Sequence, residues 1–372
     1  MSELTLEPTL VHRREACVRT IRLRWLSTPL ERPYVSSLGI TSELNSVMAF
    51  VELDDGRTGF AEVTPIPGYC DETVDGVWHF VDRHAPEMLG RQPHECRARL
   101  DRFVRSTPYG CSPLVAALER ALLSGSPVGA PVRTRIPLAA AVLSHDETAM
   151  LGEVDGLLDA GFRTLRVKAG MDLPSDGRRL RLLIDRAGSR AQFRIDFNGA
   201  LDYARSMRFM EAIGPTGIDY IEQPCPAEDW VGNARVAANL GIPVALDESV
   251  ASLDDVRRMV DCGVFAVFKV KLGKFPSIDD MHEALSLGRT GEMKGVVGNG
   301  AATDIACWIE ATVAAAHDLP PSEMNGFAKN RVNYLAEPLR IESGALVLNP
   351  GRAPSLDWDQ IDTRSRNRRD LW

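Results

Sequence analysis

Three acids, each closing a short apolar run, repeat through the middle of this chain at nearly one period. Asp196 ends FRID, Glu222 ends DYIE and Asp247 follows PVAL, at spacings of 26 and 25 residues. That interval is the length of one strand, one helix and a return loop, so the three acids fall at the same end of consecutive parallel strands. Carboxylates gathered this way repel strongly unless a cation joins them. Oxygen-only donors suit a hard ion, Mg²⁺ or its substitute Mn²⁺. A divalent metal site on one rim of a parallel sheet is the first expectation.

The period extends well beyond the acids. Strand-like runs occur at IPLAAAV (136–142), TLRVK (164–168), FRID (193–196), DYIE (219–222), PVAL (243–246), FAVFK (265–269) and GVVG (295–298). Each precedes a stretch of helical pattern, and an eighth, weaker strand is expected near Ser322–Gly326. Eight such units predict an α/β chain built on a (β/α)₈ barrel. A doubly wound open sheet competes, but no early GxGxxG supports it. Residues 1–130 read as mixed α and β, with a hairpin turning at Asp54-Asp55-Gly56. The Gly/Pro/Ser-rich stretch 124–133 marks the boundary, so the expected division is a cap over 1–130, the barrel over 131–330 and a C-terminal segment over 331–372. In that last segment, 339–350 reads as a hairpin that rejoins the first domain, and the arginines of 364–369 read as a solvated terminus.

Composition narrows the partners. A net charge of −8 and a pI near 5.5 argue against nucleic acid or an anionic membrane surface. Seven cysteines, an odd number without a CxxC, argue for a reducing compartment rather than a disulfide framework. The N-terminus has no signal-peptide pattern and no run has membrane-spanning length, so the cytoplasm is expected. A small-molecule carboxylate is the expected partner; a homo-oligomer is left open.

Lysines flank the acids. Lys168 closes the second run and Lys269 the sixth, and strands 2 and 6 of an eight-stranded barrel are diametrically opposed. Two general acid/bases would then face opposite sides of a metal-bound substrate. A free ammonium, with a pKa of about 10.4, is a poor base at neutral pH. Arg166 shares a strand face with Lys168 at about 7 Å. At an effective dielectric of roughly 20, that repulsion of about 2.4 kcal/mol lowers the lysine by nearly two pKa units. Lys269 and Lys271 repeat the arrangement, and either can be the functional member.

The segments RVK, RIDFN, YIEQP, ALDES and FKVKLG, in this order, resemble the enolase superfamily, and within it the muconate-lactonizing-enzyme-like subgroup. That subgroup includes o-succinylbenzoate synthases, dipeptide epimerases and N-acylamino acid racemases. GRTGFAEVTPIPGYCDET is similar to its capping hairpin and loop, so the likeness spans nearly the whole chain. The resemblance implies a modified (β/α)₈ barrel under an α+β cap formed by the N-terminal region and the C-terminal segment. It also implies Mg²⁺ stabilising an enediolate made by removing a proton α to a carboxylate, with Lys168 and Lys269 as the acid/base pair. The chain departs from the pattern in three places: Arg166 where the family has lysine, Val270-Lys271-Leu272-Gly273 after Lys269, and Glu323-Met324-Asn325 where dipeptide epimerases have DxD. His317, the only histidine near the seventh strand, lies too far along for the base of the mandelate-racemase-like subgroup.

Other residues follow by position. Asn198 and Glu248 are candidates for contact with the metal-binding acids, and Gly298-Asn299-Gly300 opens the next helix with backbone amides that suit a carboxylate. Tyr34, Ile66 and Tyr69 on the cap loops, with Glu323 and Asn325 on the eighth strand, are candidate substrate contacts. Racemisation or epimerisation of an amino-acid derivative is the expected reaction. o-Succinylbenzoate-synthase-like dehydration and muconate-type cycloisomerisation are the alternatives, and a barrel that binds metal or a small acid without catalysis is the third.

Overall fold

The computed structural model describes residues 16–36, 39–124, 133–144, 146–349 and 353–372. The chain starts with an antiparallel meander, β1 (Val18–Ser36), β2 (Gly39–Leu53) and β3 (Thr58–Val63), whose second turn carries Gly56 at φ +86°. Three helices follow: α1 (Val74–His84), α2 (Pro93–Leu100) and α3 (Pro108–Leu123). Val47, Ala49, Val51 and Leu53, every second residue of β2, form one fully buried face, and Ser46 and Met48 on the other face are buried as well. Gly59 pairs with Val51 on this face, and a Cβ there would meet the Ala117 carbonyl at 2.2 Å. Glycine is what lets α3 lie directly on the sheet.

The second body begins with β4 (Arg135–Pro137) and β5 (Ala140–Val142). It continues as α4 (Glu147–Asp159), β6 (Thr164–Lys168), α5 (Leu173–Ala187), β7 (Gln192–Asp196), α6 (Tyr203–Ile213), β8 (Ile218–Glu222) and α7 (Trp230–Asn239). Then come β9 (Val244–Leu246), α8 (Leu253–Cys262), β10 (Val267–Val270), α9 (Ile278–Thr290), β11 (Lys294–Val297) and α10 (Asp304–Ala315). Strands β5 to β11 form one parallel sheet in chain order. Ser322 and Glu323 close it: Ala139 N–H donates to Ser322 O at 2.8 Å and Glu323 N–H to Val297 O at 2.9 Å. The fold is a modified (β/α)₈ barrel with a cap, as the sequence pattern predicts.

Each barrel helix starts on its own side-chain cap. Asp146, Asp172, Asp202, Asp229, Ser252, Ser277 and Thr303 each accept from a backbone N–H of the first turn. At about 1 kcal/mol per cap, these seven residues fix where each loop ends and each helix starts. The barrel interior has an apolar floor of Tyr220, Ala245, Val267 and Val296. Arg194 lies 4.6 Å over the Tyr220 ring, held by Asp219 at 2.8 Å and the Pro321 carbonyl at 2.6 Å. The charged residues stand above this layer.

The last segment, with β12 (Arg340–Glu342), β13 (Ala345–Val347), α11 (Trp358–Arg364) and β14 (Ser365–Leu371), differs in detail from the sequence reading. The β12–β13 hairpin pairs with β4, not with the first domain. The return to the cap is made by β14, which adds to the free edge of β1. Two of its arginines are paired rather than merely solvated: Arg369 bonds Asp82, and Arg366 bonds Glu43. The run 136–142 is split between two sheets, breaking at Leu138–Ala139. Of the proposed boundary 124–133, all but Ser124 and Arg133 lies outside the described residues. Among the described residues, no helix is long and apolar enough to cross a membrane.

Candidate active site

Parity along the strands decides which side chains enter the barrel. Residues i and i+2 share a face, so Arg166 and Lys168, Arg194 and Asp196, Tyr220 and Glu222, and Ala245 and Asp247 all point inward. The pairing register runs Lys168–Asp196–Glu222–Ala245–Val267. In an eight-stranded barrel of shear eight, equal height drifts from that line by about one residue per strand. Two strands beyond Asp196, the acid level with it is therefore Asp247 rather than Ala245. Four strands beyond Lys168, the level residue is Lys271, four past Val267.

The cavity agrees. A space of about 200 Å³ is lined by Arg166, Lys168, Asn198, Asp247 and Lys271 on the barrel side, and by Ile66 and Tyr69 from the cap. Lys269 is fully buried and does not line it. Its Nζ lies 2.6 Å from Glu323 and 3.1 Å from Glu222, below the cavity wall. The expected like-charge depression does not hold for Lys269. Burial alone would lower its pKa, but Glu222 and Glu323 outweigh burial and raise it above 10.5.

The three acids are fully buried and each is held by cations of the chain. Arg166 Nη2 bridges Asp196 and Glu222, lying 2.6 Å from the latter, while its Nη1 is 3.5 Å from Glu323. Lys168 Nζ is 2.6 Å from Asp196 and also bonds the Asn198 side-chain oxygen. Asp247 receives Lys271 at 2.7 Å, Lys274 at 2.8 Å and the Tyr69 hydroxyl at 2.8 Å. Lys271 also donates to the Tyr69 hydroxyl at 2.6 Å. Burial pushes all three carboxyls up, but Lys271 and Lys274 hold Asp247 well below its ordinary value, and Arg166 and Lys168 lower Asp196. For Glu222 burial wins and the pKa is raised.

The donor set fits Mg²⁺ in its chemistry: three buried carboxylates, oxygen only, at the ends of three adjacent strands. Among the described residues no three acid, histidine or cysteine side chains are yet drawn together around one point, because guanidinium and ammonium groups stand between them.

The remaining expected residues fall into place variously. Glu248 accepts from Asn198 Nδ2 at 2.7 Å, and burial, with Asp247 and Asp196 nearby, raises it to about 7. Ile66, Tyr69, Asn299, Gly300 and Glu323 line the cavity. Asn325 does not; it donates to the Ala139 carbonyl at 2.9 Å. The side chain of Tyr34 lies outside the described residues. The Gly298–Gly300 segment does not open α10, which is capped by Thr303. Its amides are largely committed, Gly298 N–H to Val270 O at 3.0 Å and Asn299 N–H to Glu310 at 3.1 Å. Gly298, at φ +115°, packs where a Cβ would meet Met324 N at 2.7 Å.

Three contributors escaped the sequence reading. Lys274 holds Asp247. Gln223, fully buried at φ +38°, accepts from the amides of Asp247 and Ser249 and donates to Ser249 Oγ at 2.8 Å, joining the ends of β8 and β9. Glu310 accepts from the amides of Leu272 and Asn299, both at 3.1 Å, joining the loops after β10 and β11. A glutamine directly after the acid in EQP was the visible signal for the second; Glu310 gave none.

Comparison with known proteins gives this capped parallel barrel, with its rim of buried acids and flanking cations, its class. Residues 149–359 match the family described as Enolase C-terminal domain-like, and the chain belongs to that family. It is 29% identical over 269 residues to an aromatic dipeptide epimerase of Herpetosiphon aurantiacus, covering 69% of this chain and 75% of that one. An o-succinylbenzoate synthase of Geobacillus kaustophilus is 26% identical, covering 84% of this chain and 83% of the relative. The crystal structure of the N-succinyl Arg/Lys racemase of Bacillus cereus superposes with a TM-score of 0.88 at 20% identity, covering 96% of this chain and all of that one. The chain is thus an enolase-superfamily enzyme, an isomerase or a lyase. Members of this superfamily generally use Mg²⁺.

Proposed function

We propose that this enzyme moves a proton on the carbon α to a substrate carboxylate, racemising or epimerising an amino-acid derivative with Lys168 and Lys271 as the two proton carriers. The observation that supports this is their placement: both line one cavity, from strands four apart, at the same height in the barrel. A substrate between them presents one face of its α-carbon to each amine. Lys168 is aimed by Asp196 and Asn198, and Lys271 by Asp247 and the Tyr69 hydroxyl. Cap residues Ile66 and Tyr69 exclude water from that side.

Asp196, Glu222 and Asp247 would hold Mg²⁺. When bound, the ion would set positive charge against the carboxylate and offset the charge that builds as the α-proton leaves. Arg166, which bridges Asp196 and Glu222, has Glu323 as a third carboxylate at 3.5 Å and so keeps a partner that is not one of the three acids.

The test is α-proton exchange in D₂O, with Mg²⁺, across N-acylamino acids and dipeptides of both configurations. Exchange from both enantiomers, lost from opposite ones in Lys168→Ala and Lys271→Ala, is the expected result. Exchange from one enantiomer alone would favour elimination or cycloisomerisation, and none at all would leave a barrel that binds without turning over.

A further inference from the structure

The two proton carriers are held in place by different means. Lys168 is the last residue of β6, paired with Asp196 in the ladder, and a further rung follows it: Ala169 N–H donates to Asp196 O at 2.9 Å. The sheet itself fixes where that side chain starts. Lys271 has no such support. β10 ends one residue before it, its last pair with β11 is Val270–Val297, and the last rung is Gly298 N–H to Val270 O at 3.0 Å. Beyond that rung the two segments part, and their buried amides need another acceptor.

The acceptor is a carboxylate from the helix behind. Glu310 on α10 is buried, and its Oε1 accepts from Leu272 N–H and its Oε2 from Asn299 N–H, both at 3.1 Å. One side chain thus spans the gap that a further rung would have closed. It ties the residue after Lys271 to Asn299 in the cavity wall. The same turn is gripped from the cap: Ser112 Oγ on α3 donates to Leu272 O at 3.0 Å, and a Cβ on Gly273 would meet the Tyr109 ring at 2.5 Å. Of these three contacts only Glu310 is an acid. Burial drives its carboxyl up to about 7, with Glu62 on β3 adding to the rise, while the two amides and Lys271 pull it back. An acid kept at that cost beside a reacting lysine is a candidate for more than packing.

We propose that Glu310 is a positioning residue for the reaction: by holding the amides of Leu272 and Asn299 it aims the Lys271 amine, and so it governs proton transfer on one face of the substrate and not on the other. This rests on the reading of Lys271 as a proton carrier given above. A carboxylate accepts at both oxygens, whereas a glutamine offers one acceptor and one donor. In Glu310→Gln one of the two N–H groups faces an NH₂ and is left unpaired, and the turn that carries Lys271 shifts to relieve it.

The test compares the two faces within one variant. The enantiomer whose α-proton exchange in D₂O is lost in Lys271→Ala marks the Lys271 face; the other marks the Lys168 face. Glu310→Gln should slow saturating exchange on the Lys271 face by roughly tenfold or more, as a small misplacement of a reacting group does. The half-saturating concentration, and exchange on the Lys168 face, should stay within about threefold. Glu310→Asp, which keeps the charge but is one methylene short of the two amides, is a second variant with the same expectation. Asp304→Asn is the control for damage to α10 itself. Asp304 is buried on that helix and accepts from the amides of Tyr334 and Leu335 without lining the cavity. That variant should lower the melting temperature and leave the ratio of the two rates unchanged. Hydrogen exchange on the parent protein needs no variant and should find the Leu272 and Asn299 amides protected.

Equal slowing on both faces in the Glu310 variants, no slowing on either, or unprotected amides in the parent would overturn the proposal while leaving Lys271 its role. If Lys271→Ala spares both enantiomers, the reading of the site falls instead, and this proposal with it.

Discussion

Strand β6 and the end of β10 with the residue that follows it carry nearly the same three residues, Arg166-Val167-Lys168 and Lys269-Val270-Lys271, and use them differently. On β6 both cations reach the cavity. At the end of β10 only Lys271, just past the strand, does, while Lys269 sits a layer deeper against Glu222 and Glu323. The cause is the tilt of the strands, not the side chains. Crossing four strands at about one residue of drift each moves the level of the cavity four residues along, past Lys269 and onto Lys271. Like motifs in a barrel are equivalent only after the stagger has been counted.

The comparison is most exposed to a paired substitution. Lys271→Met should cut α-proton exchange from one enantiomer by roughly 10²–10⁴-fold, the range for losing a positioned acid or base. Lys269→Met should keep exchange within about tenfold but lose stability, by about 3–5 kcal/mol in denaturant unfolding, because two buried carboxylates lose a partner. The reverse pattern would return the catalytic role to Lys269.

Next in size is the carboxylate the two strands share. In Glu323→Gln, Arg166 and Lys269 lose their common acid and lean harder on Asp196 and Glu222. Mg²⁺ affinity measured by calorimetry should fall about tenfold, the equivalent of about 1.4 kcal/mol. Unchanged affinity would mean the lower layer does not communicate with the acids.

Tyr69→Phe sharpens the Lys271 side. It removes the hydroxyl between Lys271 and Asp247 while keeping the ring that lies 4.3 Å from the ammonium. Exchange should slow by roughly tenfold with little change in melting temperature, since one hydrogen bond to a charged group is at stake.

The smallest effect provides the background for the stability readings. His282 Nδ1 and His317 Nε2 are 2.8 Å apart beside α9, and burial, with His282 and Arg289 nearby, lowers His317 to about 4. The unfolded chain binds that proton more readily, so the contribution is complete above about 6.5 and is lost as pH falls toward 4. Melts across that window should slope downward with acid in the parent and in Lys269→Met alike, and flatten in His317→Gln.

The sequence exposed what repeats. The βα period located seven parallel strands and the acids at their ends, because apolar runs and turn residues are local signals. Register is not local, and that is why Lys269 looked like the end of its strand: FAVFK breaks the apolar run, yet β10 runs on to Val270. β14 was illegible for a related reason. SRNRRDL has no apolar face, and its strand identity comes from pairing with β1 across most of the chain. Glu310 was hidden because a buried acid that serves only backbone amides has no pattern of its own.

That same late strand has a consequence for biogenesis. β1 leaves the ribosome before the barrel strands and β14 only after all of them, so the edge of β1 that β14 covers stays open while the barrel is being made. The catalytic floor is laid before the lid's last seam is sewn, and for that interval β1 is the stretch most open to pairing with a stranger.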